Sequence, residues 1–273
     1  MHLTTTVEAG HARRMARLFA ADRKSLIIGY DHAVSAGTAG GALAALPALA
    51  ELSGKGGADG LQMGLHAARQ LDPDGAGPQL GLVLRIDRSA VGDDPHQLVG
   101  PPARWASAAQ VLHADGDAAV VYYIHDTRRI DENNAYAVMI GETAQECGAL
   151  GLPLMVEVMV KTERGASPVA TSQAMADAAR IAFELGADLV KIDRTPHPEA
   201  MPDLVAAVPV PVLLRGGPPQ DTVTGTLADL ERSLGAGVAG AVYGRTVWHH
   251  GDPEGMTRTL SAVVHGTPAG AFR

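Results

Sequence analysis

Short apolar segments with β-strand character recur along the whole chain and alternate with longer segments of helical pattern, and this alternation constrains the fold more than any other feature. Eight segments qualify as strands, at residues 25–30, 59–63, 80–86, 118–124, 152–158, 187–192, 209–215 and 238–244. Strands that alternate with helices form a parallel sheet, because each helix carries the chain back to the edge where the next strand begins.

Eight strand–helix units in 273 residues match the (β/α)8 or TIM barrel, which typically needs about 250 residues. An open, doubly wound sheet is the alternative, but eight even repeats fit it less well. No linker, charge block or low-complexity segment divides the chain. We therefore predict a single barrel domain over residues 1–273, in which residues 1–23 form an N-terminal helical extension.

Composition and charge limit the kinds of molecule that this protein can bind. The formal charge is −8 and no basic stripe is present, which argues against nucleic acid. No apolar segment approaches the roughly 18 residues of a membrane span, and the N-terminal segment lacks the apolar core of a signal peptide. The single cysteine, Cys147, cannot form an internal disulfide, which fits a reducing cytoplasm. We expect a cytoplasmic protein that binds neither nucleic acid nor a membrane.

The barrel hypothesis identifies candidate site residues, because the carboxyl ends of the strands of such a barrel surround its active site. Tyr123 and His125 are two residues apart and so share one face of their strand. The polar or glycine residues at the predicted strand ends are Asp31, His32, Arg85, Asp87, Tyr123, His125, Asp126, Glu157, Lys191, Asp193, Arg215, Gly216, Gly217, Gly244 and Arg245.

Lys191 is the most informative candidate, because "ADLVKI" places a charged amine in an otherwise apolar strand. One interpretation is a structural ion pair with Glu157 of the neighbouring strand, since buried cations are seldom left unpaired. The other is chemical. Burial lowers the pKa of a lysine, and its neutral amine can attack a carbonyl to form an iminium that draws electrons from an adjacent C–C bond. We favour the chemical interpretation.

Glycines follow the last two predicted strands, as Gly216 and Gly217 in "RGG" and as Gly244 before Arg245 in "GR". Barrels often bind a phosphate at these two loops. Glycine lets backbone N–H groups approach an anion closely, and Arg245 could add a charged contact. Tight turns, which also use glycine pairs, are the alternative explanation.

A metal site built from Asp31 and His32, with His125 and Asp126, is the rival chemistry. The sequence has no HxH or HxxxH spacing of the kind that supports a zinc site. We therefore expect neither a metal nor a cofactor.

Four motifs carry a resemblance to a known family: "YDHAVSAG", "GADLVKIDRT", "LLRGGPP" and "GAGVAGAVYGRTVWHHGDPEGMTRTLSAVVHG". They resemble the archaeal-type class I fructose-bisphosphate aldolases and their relatives, which include the amino-dideoxy-heptulosonate synthases. The resemblance runs from about Lys24 to Gly266. It implies a homo-oligomeric, metal-independent barrel enzyme that binds a phosphorylated sugar.

The resemblance also implies roles for individual residues. Lys191 matches the Schiff-base lysine and Asp31 the aspartate of the first strand. The acid/base residue of the family, often a tyrosine near the end of the fourth strand, aligns best with His125, with Tyr123 two residues earlier. A histidine there would move the proton-transfer pKa from near 10 toward neutrality. The phosphate-binding residues that the resemblance implies are Gly216, Gly217, Gly244 and Arg245. We add Arg215 and His32 as candidate substrate-binding residues.

The function that follows is a class I aldolase that cleaves a phosphorylated ketose or joins dihydroxyacetone phosphate to an aldehyde. A transaldolase-like synthase of a heptulosonate or aromatic precursor is the first alternative, and product analysis with an amino-aldehyde acceptor separates the two. A non-catalytic phosphosugar-binding barrel would show stabilisation by ligand without turnover. A metal-dependent barrel aldolase would be inactivated by EDTA.

Overall fold

The computed structural model describes residues 6–37, 45–71, 80–89, 96, 100–217 and 222–266. Eight parallel strands close into a barrel in the order β1-β8-β7-β6-β5-β4-β3-β2. They are β1 (Ser25–Gly29), β2 (Gly60–Gly64), β3 (Gly81–Arg85), β4 (Ala118–Asp126), β5 (Leu154–Lys161), β6 (Leu189–Ile192), β7 (Val212–Arg215) and β8 (Gly240–Tyr243). The predicted TIM barrel is confirmed, and the open sheet is wrong because β1 pairs with β8.

Helices surround the barrel: α1 (Thr6–Leu18), α2 (His32–Ala36), α3 (Leu46–Lys55), α4 (Ala108–His113), α5 (Ile130–Leu150), α6 (Pro168–Glu184), α7 (Met201–Ala206), α8 (Val223–Gly235), α9 (Arg245–Trp248) and α10 (Pro253–His265). Among the described residues, 3-10 turns lie at Ala67–Gln70 and Pro198–Ala200. A short antiparallel pair, Asp87–Arg88 with Ala103–Arg104, follows β3. Two-residue strands are too short to show a periodic pattern, so this pair could not be predicted from the sequence.

Side-chain caps fix where several of these helices begin. Ser167 accepts a hydrogen bond from the N–H of Ala170 at the start of α6, and Pro168 follows it at the first helical position. Asp252 and Pro253 begin α10 in the same way. Such caps satisfy N–H groups that have no partner within the helix, and proline at the next position loses nothing because its N–H is not needed.

The barrel interior is apolar in its lower part and polar toward the carboxyl ends of the strands. The apolar part is one buried cluster formed by Leu18, Ile27, Val83, Ala118, Val120, Met155, Leu189, Leu213 and Val242. Leu18 comes from α1, which therefore covers the amino-terminal end of the barrel. The inward side chains above this cluster lie toward the carboxyl end of the barrel.

Aspartates at the amino-terminal end tie neighbouring strands together. Each directly precedes an even-numbered strand, and its carboxylate accepts the N–H of a residue that begins the strand before it. The pairs are Asp59 with Leu26 at 2.6 Å, Asp117 with Leu82 at 3.0 Å and Asp188 with Leu154 at 2.9 Å. These bonds satisfy strand-end N–H groups, so these carboxylates serve the scaffold.

His265 at the end of α10 joins this region and should make stability depend on pH. Its ring bonds to Asp59 at 3.1 Å and to Asp22 at 2.8 Å, and the hydrogen bond to Asp59 is the main reason that its pKa is raised. A raised folded-state pKa stabilises the protein below the unfolded-state pKa of histidine, and this stabilisation is lost as the pH rises through the folded-state pKa.

We expect the stability deficit of His265→Gln to be largest near pH 6 and to shrink toward pH 9. Urea unfolding across that range measures it. His113→Gln, which replaces an exposed histidine of α4, is the matched control. A deficit that grows with pH would contradict the assignment.

No helix in the described ranges is both long and apolar enough to cross a bilayer. Of the predicted N-terminal extension, the structure describes α1 and the turn that leads to β1. The domain bounds of 1–273 and 1–23 stay predictions.

Candidate active site

Lys191 lies on β6 with its side chain inside the barrel, just above the apolar cluster. The residue is 5% exposed. Its Nζ atom lies 3.0 Å from Oε2 of Glu157 on the neighbouring strand and 3.2 Å from Oε1 of Gln62. The structural ion pair that the sequence left open is therefore present, and the question is whether it excludes the chemical role.

The charges around the pair leave the amine free to lose its proton. Burial lowers the pKa of Lys191, and the attraction of Glu157 offsets only part of this effect. Burial alone would raise the pKa of Glu157, but Lys191, Arg85 and Arg215 together lower it. Two arginines therefore favour the ionised form of Glu157 in addition to Lys191. The ion pair is thus compatible with a nucleophilic amine.

Arg85 on β3 is the central cation of a carboxylate cluster that it forms with Asp31, Asp87 and Glu157. Its side chain is completely buried. Its guanidinium donates to Asp31 at 2.5 Å and to Asp87 at 2.9 Å, and it also donates to Glu157. Its carbon Cζ lies 3.7 Å from the centre of the Tyr122 ring. Three carboxylates and an aromatic face therefore fix the position of one cation.

Asp31 reaches the same cluster from the end of β1, as the sequence predicted for a strand-end residue. Oδ2 of Asp31 accepts from the Gln62 amide at 2.6 Å as well as from Arg85. Gln62, on β2, was missed by the sequence analysis. The signal that could have found it is a polar residue inside the buried segment "GLQMG".

Tyr123 and His125 do not join this cluster, which corrects the predicted acid/base position. Tyr122 pairs in register with Glu157, and side chains alternate along β4, so Tyr122 faces inward while Tyr123 and His125 face the helices. The Tyr123 hydroxyl lies 3.0 Å from Nδ1 of His125, and its ring centre lies 6.3 Å from that of Tyr136 on α5. Both side chains therefore belong to the outer layer.

Tyr122 is the tyrosine of β4 that enters the interior. Its hydroxyl lies 3.2 Å from the Ser35 hydroxyl on α2. Burial raises the pKa of Tyr122, and Arg85 counteracts this in part. The hydroxyl is therefore protonated at neutral pH and can donate a hydrogen bond or a proton.

The predicted phosphate glycines lie at the carboxyl ends of β7 and β8, where little space is left. A Cβ atom on Gly216 would lie 2.5 Å from the Tyr243 ring, and one on Gly244 would lie 2.9 Å from the carbonyl oxygen of Gly29. Gly217 has φ +62°, which favours glycine. Packing and backbone conformation thus explain these glycines by themselves, and their contact with phosphate stays a prediction.

Arg215, Arg245 and His32, the remaining residues predicted to bind the substrate, lie on β7, α9 and α2. Arg215 donates to Glu157 at 3.0 Å and to the two carboxylate oxygens of Asp193 at 3.0 and 3.1 Å. It therefore belongs to the carboxylate cluster rather than to a separate phosphate-binding site. Arg245 and His32 are the first residues of α9 and α2. Residues 218–219 of the "LLRGGPP" motif lie outside the described residues.

The residues of the rival metal hypothesis do not converge. Asp126 lies beside Arg128, whose Nε donates to it at 2.7 Å. Across the ranges that the structure describes, no group of three or more His, Cys, Asp and Glu residues could hold a metal ion.

A closed parallel barrel whose interior carries a buried lysine between a carboxylate and an amide defines a barrel of the Schiff-base aldolase class. Comparison with known proteins supports the same class. Residues 25–250 match the model of the DeoC/LacD family aldolases, and the chain belongs to this family. It is a lyase, as predicted.

Individual relatives agree with the family. The 2-amino-4,5-dihydroxy-6-oxo-7-(phosphonooxy)heptanoate synthase of Streptomyces griseus is 28% identical, over 94% of each chain. An archaeal fructose 1,6-bisphosphate aldolase crystal structure is 26% identical, with a TM-score of 0.80 over 94% of this chain and 99% of that one. A second archaeal aldolase structure, with its catalytic lysine bound covalently to a carbinolamine intermediate, is 25% identical, with a TM-score of 0.79 over 94% and 100%. The resemblance seen in the sequence is confirmed.

Proposed function

We propose that this aldolase cleaves a phosphorylated ketose, or joins dihydroxyacetone phosphate to an aldehyde, through an iminium on Lys191. The observation that carries the proposal is the buried Lys191 amine, 3.0 Å from a carboxylate that two arginines keep ionised. Burial favours the neutral amine, and only the neutral amine has the lone pair that attacks a carbonyl.

The proposed reaction begins when Lys191 bonds to the carbonyl carbon and the carbonyl oxygen takes up a proton. Loss of that oxygen as water leaves the iminium. A base then removes the proton of the hydroxyl beside the scissile bond, and the C–C electron pair moves into the iminium to give an enamine and a free aldehyde. Synthesis runs the same steps in reverse.

Three residues assist these steps in the proposal. Glu157 stays ionised and stabilises the positive charge that develops on Nζ of Lys191 as the carbinolamine and the iminium form, since it contacts Lys191 directly. Asp31 assists dehydration and holds a substrate hydroxyl. Tyr122 replaces Tyr123 and His125 as the group that faces the substrate hydroxyl, because it faces the interior. In the synthetic direction its protonated hydroxyl donates a proton to the oxygen of the newly formed alcohol, and its phenolate is the base of the reverse step.

The donor phosphate is proposed to bind at the ends of β7 and β8, at Gly216, Gly217, Gly244 and Arg245, with His32 nearby. Binding of this remote group would hold the carbonyl over the amine, which favours attack. The homo-oligomeric state and the cytoplasmic location stay predictions.

Borohydride trapping tests the function. Reduction in the presence of dihydroxyacetone phosphate should fix the donor to the protein, and peptide mass spectrometry should find the adduct on Lys191. EDTA should leave both trapping and turnover unchanged. A donor adduct on another lysine, or none at all, would refute the proposal.

The synthase alternative is kept because the Streptomyces griseus relative is named as a heptanoate synthase. It retains the iminium on Lys191 and differs in the acceptor. Product analysis with an amino-aldehyde acceptor, compared with glyceraldehyde 3-phosphate, separates the two.

The two neighbouring tyrosines of β4 give a matched test of the proton-transfer assignment. We expect Tyr122→Phe to lower kcat about 100-fold, since a positioned acid or base typically contributes at least that much. Tyr123→Phe and His125→Ala should stay within about 3-fold of the unmodified protein, because both side chains lie in the outer layer. Steady-state kinetics on the three variants, each checked by circular dichroism, measures this. Equal losses in the two Tyr→Phe variants would contradict the placement.

A further inference from the structure

Gln62 links the two residues that carry most of the proposed chemistry. It lies on β2 and is completely buried. Its Nε2 atom lies 2.6 Å from Oδ2 of Asp31 and 3.5 Å from Oε2 of Glu157, while its Oε1 atom lies 3.2 Å from Nζ of Lys191. One side chain therefore contacts the aspartate, the glutamate and the lysine together.

The chemistry of its neighbours fixes which way the amide points. Ionised carboxylates only accept hydrogen bonds, so the NH2 group of Gln62 must face Asp31 and Glu157. The carbonyl oxygen then faces Lys191 and accepts from it. Turning the amide over would place its oxygen against two carboxylates and its NH2 group against the donor of Lys191. The orientation of Gln62 is therefore determined.

This arrangement suits a neutral lysine. A neutral amine has two N–H groups and one lone pair. Gln62 and Glu157 provide two acceptors, one for each N–H group, and the tetrahedral geometry then leaves the lone pair directed away from both. A nucleophile needs an uncommitted lone pair of this kind.

We propose that Gln62 is a positioning residue of this aldolase, whose uncharged amide orients the Lys191 amine without adding a charge beside it. The proposal rests on the proposed function insofar as Lys191 is the nucleophile. It assigns a task to a residue whose sequence context is that of an ordinary buried strand.

The absence of charge at position 62 matters as much as the hydrogen bond. A glutamate has the same shape as glutamine but would add a carboxylate beside Lys191. A neighbouring opposite charge typically favours the charged form by about 1 to 3 pKa units. The amine of such a variant would be protonated, and unreactive, to a higher pH.

Two variants separate charge from hydrogen bonding: Gln62→Glu keeps the shape and adds charge, and Gln62→Met keeps the length and removes the hydrogen bond. The measurement is the acetylation of Lys191 by acetic anhydride across pH 6 to 11, with peptide mass spectrometry and the exposed Lys55 as internal reference. Gln173→Glu, at an exposed site on α6, is the charge-matched control. Circular dichroism and thermal unfolding verify the fold of each variant.

We expect the acetylation midpoint of Lys191 to rise by about 1 pH unit or more in Gln62→Glu and to stay unchanged in Gln173→Glu. In Gln62→Met the acetylation midpoint of Lys191 should not rise. Its kcat should fall about 10- to 100-fold while KM stays within about 3-fold, because a misoriented amine slows the reaction more than it weakens substrate binding. If Gln62→Glu does not fold, the kinetics of Gln62→Met decide alone.

An unchanged midpoint in a folded Gln62→Glu protein would overturn the proposal, and so would a Gln62→Met protein with full kcat. Acetylation requires no substrate, so the two hypotheses can fail separately. If Lys191 of the unmodified protein traps no donor but its midpoint still rises in Gln62→Glu, the proposed function is wrong and the positioning of the amine stands.

Discussion

Replacement of Lys191 by methionine is expected to abolish aldolase activity and leave the barrel folded. Without the amine no iminium can form, and the loss of a covalent nucleophile typically costs about 10³-fold or more in kcat. Methionine has a similar length and needs no hydrogen bond. Glu157 keeps Arg85 and Arg215 as partners, so the variant does not leave an isolated buried carboxylate.

Lys55→Met is the control for this variant, since Lys55 lies on the surface and pairs with Glu51 of its own helix at 2.6 Å. Both variants should show the same far-ultraviolet circular dichroism, and only Lys191→Met should lose activity and borohydride trapping. If Lys191→Met keeps more than about 1% of kcat, the lysine is a structural ion-pair partner and the iminium mechanism fails.

The barrel and its lysine could be predicted from the sequence because each leaves a local signal. Eight apolar segments separated by helical patterns mark the strands, and the end of each strand then defines the site. Lys191 is a charged residue in an apolar strand, and Glu157 is a charged residue inside the strand before it. Their pairing required only that neighbouring parallel strands place them at the same level.

The side of the strand on which a residue lies could not be predicted for β4. All of "AAVVYYI" is buried, because a barrel strand is covered by the interior on one face and by helices on the other. Such strands lose the alternation of polar and apolar residues that reveals their faces. Tyr122 and Tyr123 are chemically identical neighbours, and a register error of one residue exchanges their roles. The pairing of Tyr122 with Glu157 resolves the choice.

The carboxylate cluster could not be predicted from local sequence patterns either. Asp31, Arg85 and Arg215 come from three different strands, and their strand ends gave only their approximate level in the barrel. The sequence suggested that Arg215 binds phosphate, whereas in the structure two carboxylates occupy its guanidinium. The pairing of the charged groups depends on the directions of their side chains across the barrel. These directions follow from the closure of the strands into a barrel rather than from residue spacing along the chain.

Arg85 is the residue whose loss should destabilise the fold most. Its buried guanidinium pairs with Asp31, Asp87 and Glu157. Arg85→Met would leave these carboxylates buried with one cation fewer, and breaking a buried pair in this way typically costs about 3 to 5 kcal/mol of unfolding free energy. Arg85→Lys keeps the charge but not the planar fork, so its cost should be intermediate.

Asp87 gives this deficit a predictable dependence on pH. Burial raises the pKa of Asp87 to about 6 although Arg85 lowers it, so removal of Arg85 should raise it further. A folded-state pKa above the unfolded value means that protonation stabilises the folded state below that pKa, and this contribution is lost as the pH rises through it. The deficit of Arg85→Met should therefore be smaller at pH 5.5 than at pH 8.

Urea unfolding of Arg85→Met, Arg85→Lys and the unmodified protein at these two pH values provides the measurement. Arg180→Met removes an arginine that is half exposed and pairs with Glu184 one helical turn away, and its effect should stay within about 0.5 kcal/mol. A deficit for Arg85→Met below about 1 kcal/mol at pH 8 would show that the cluster does not depend on this cation, and a deficit that grows as the pH falls would contradict the raised pKa of Asp87. The first result would also weaken the basis for an ionised Glu157 beside Lys191, because Arg85 is one of the two arginines that pair with it.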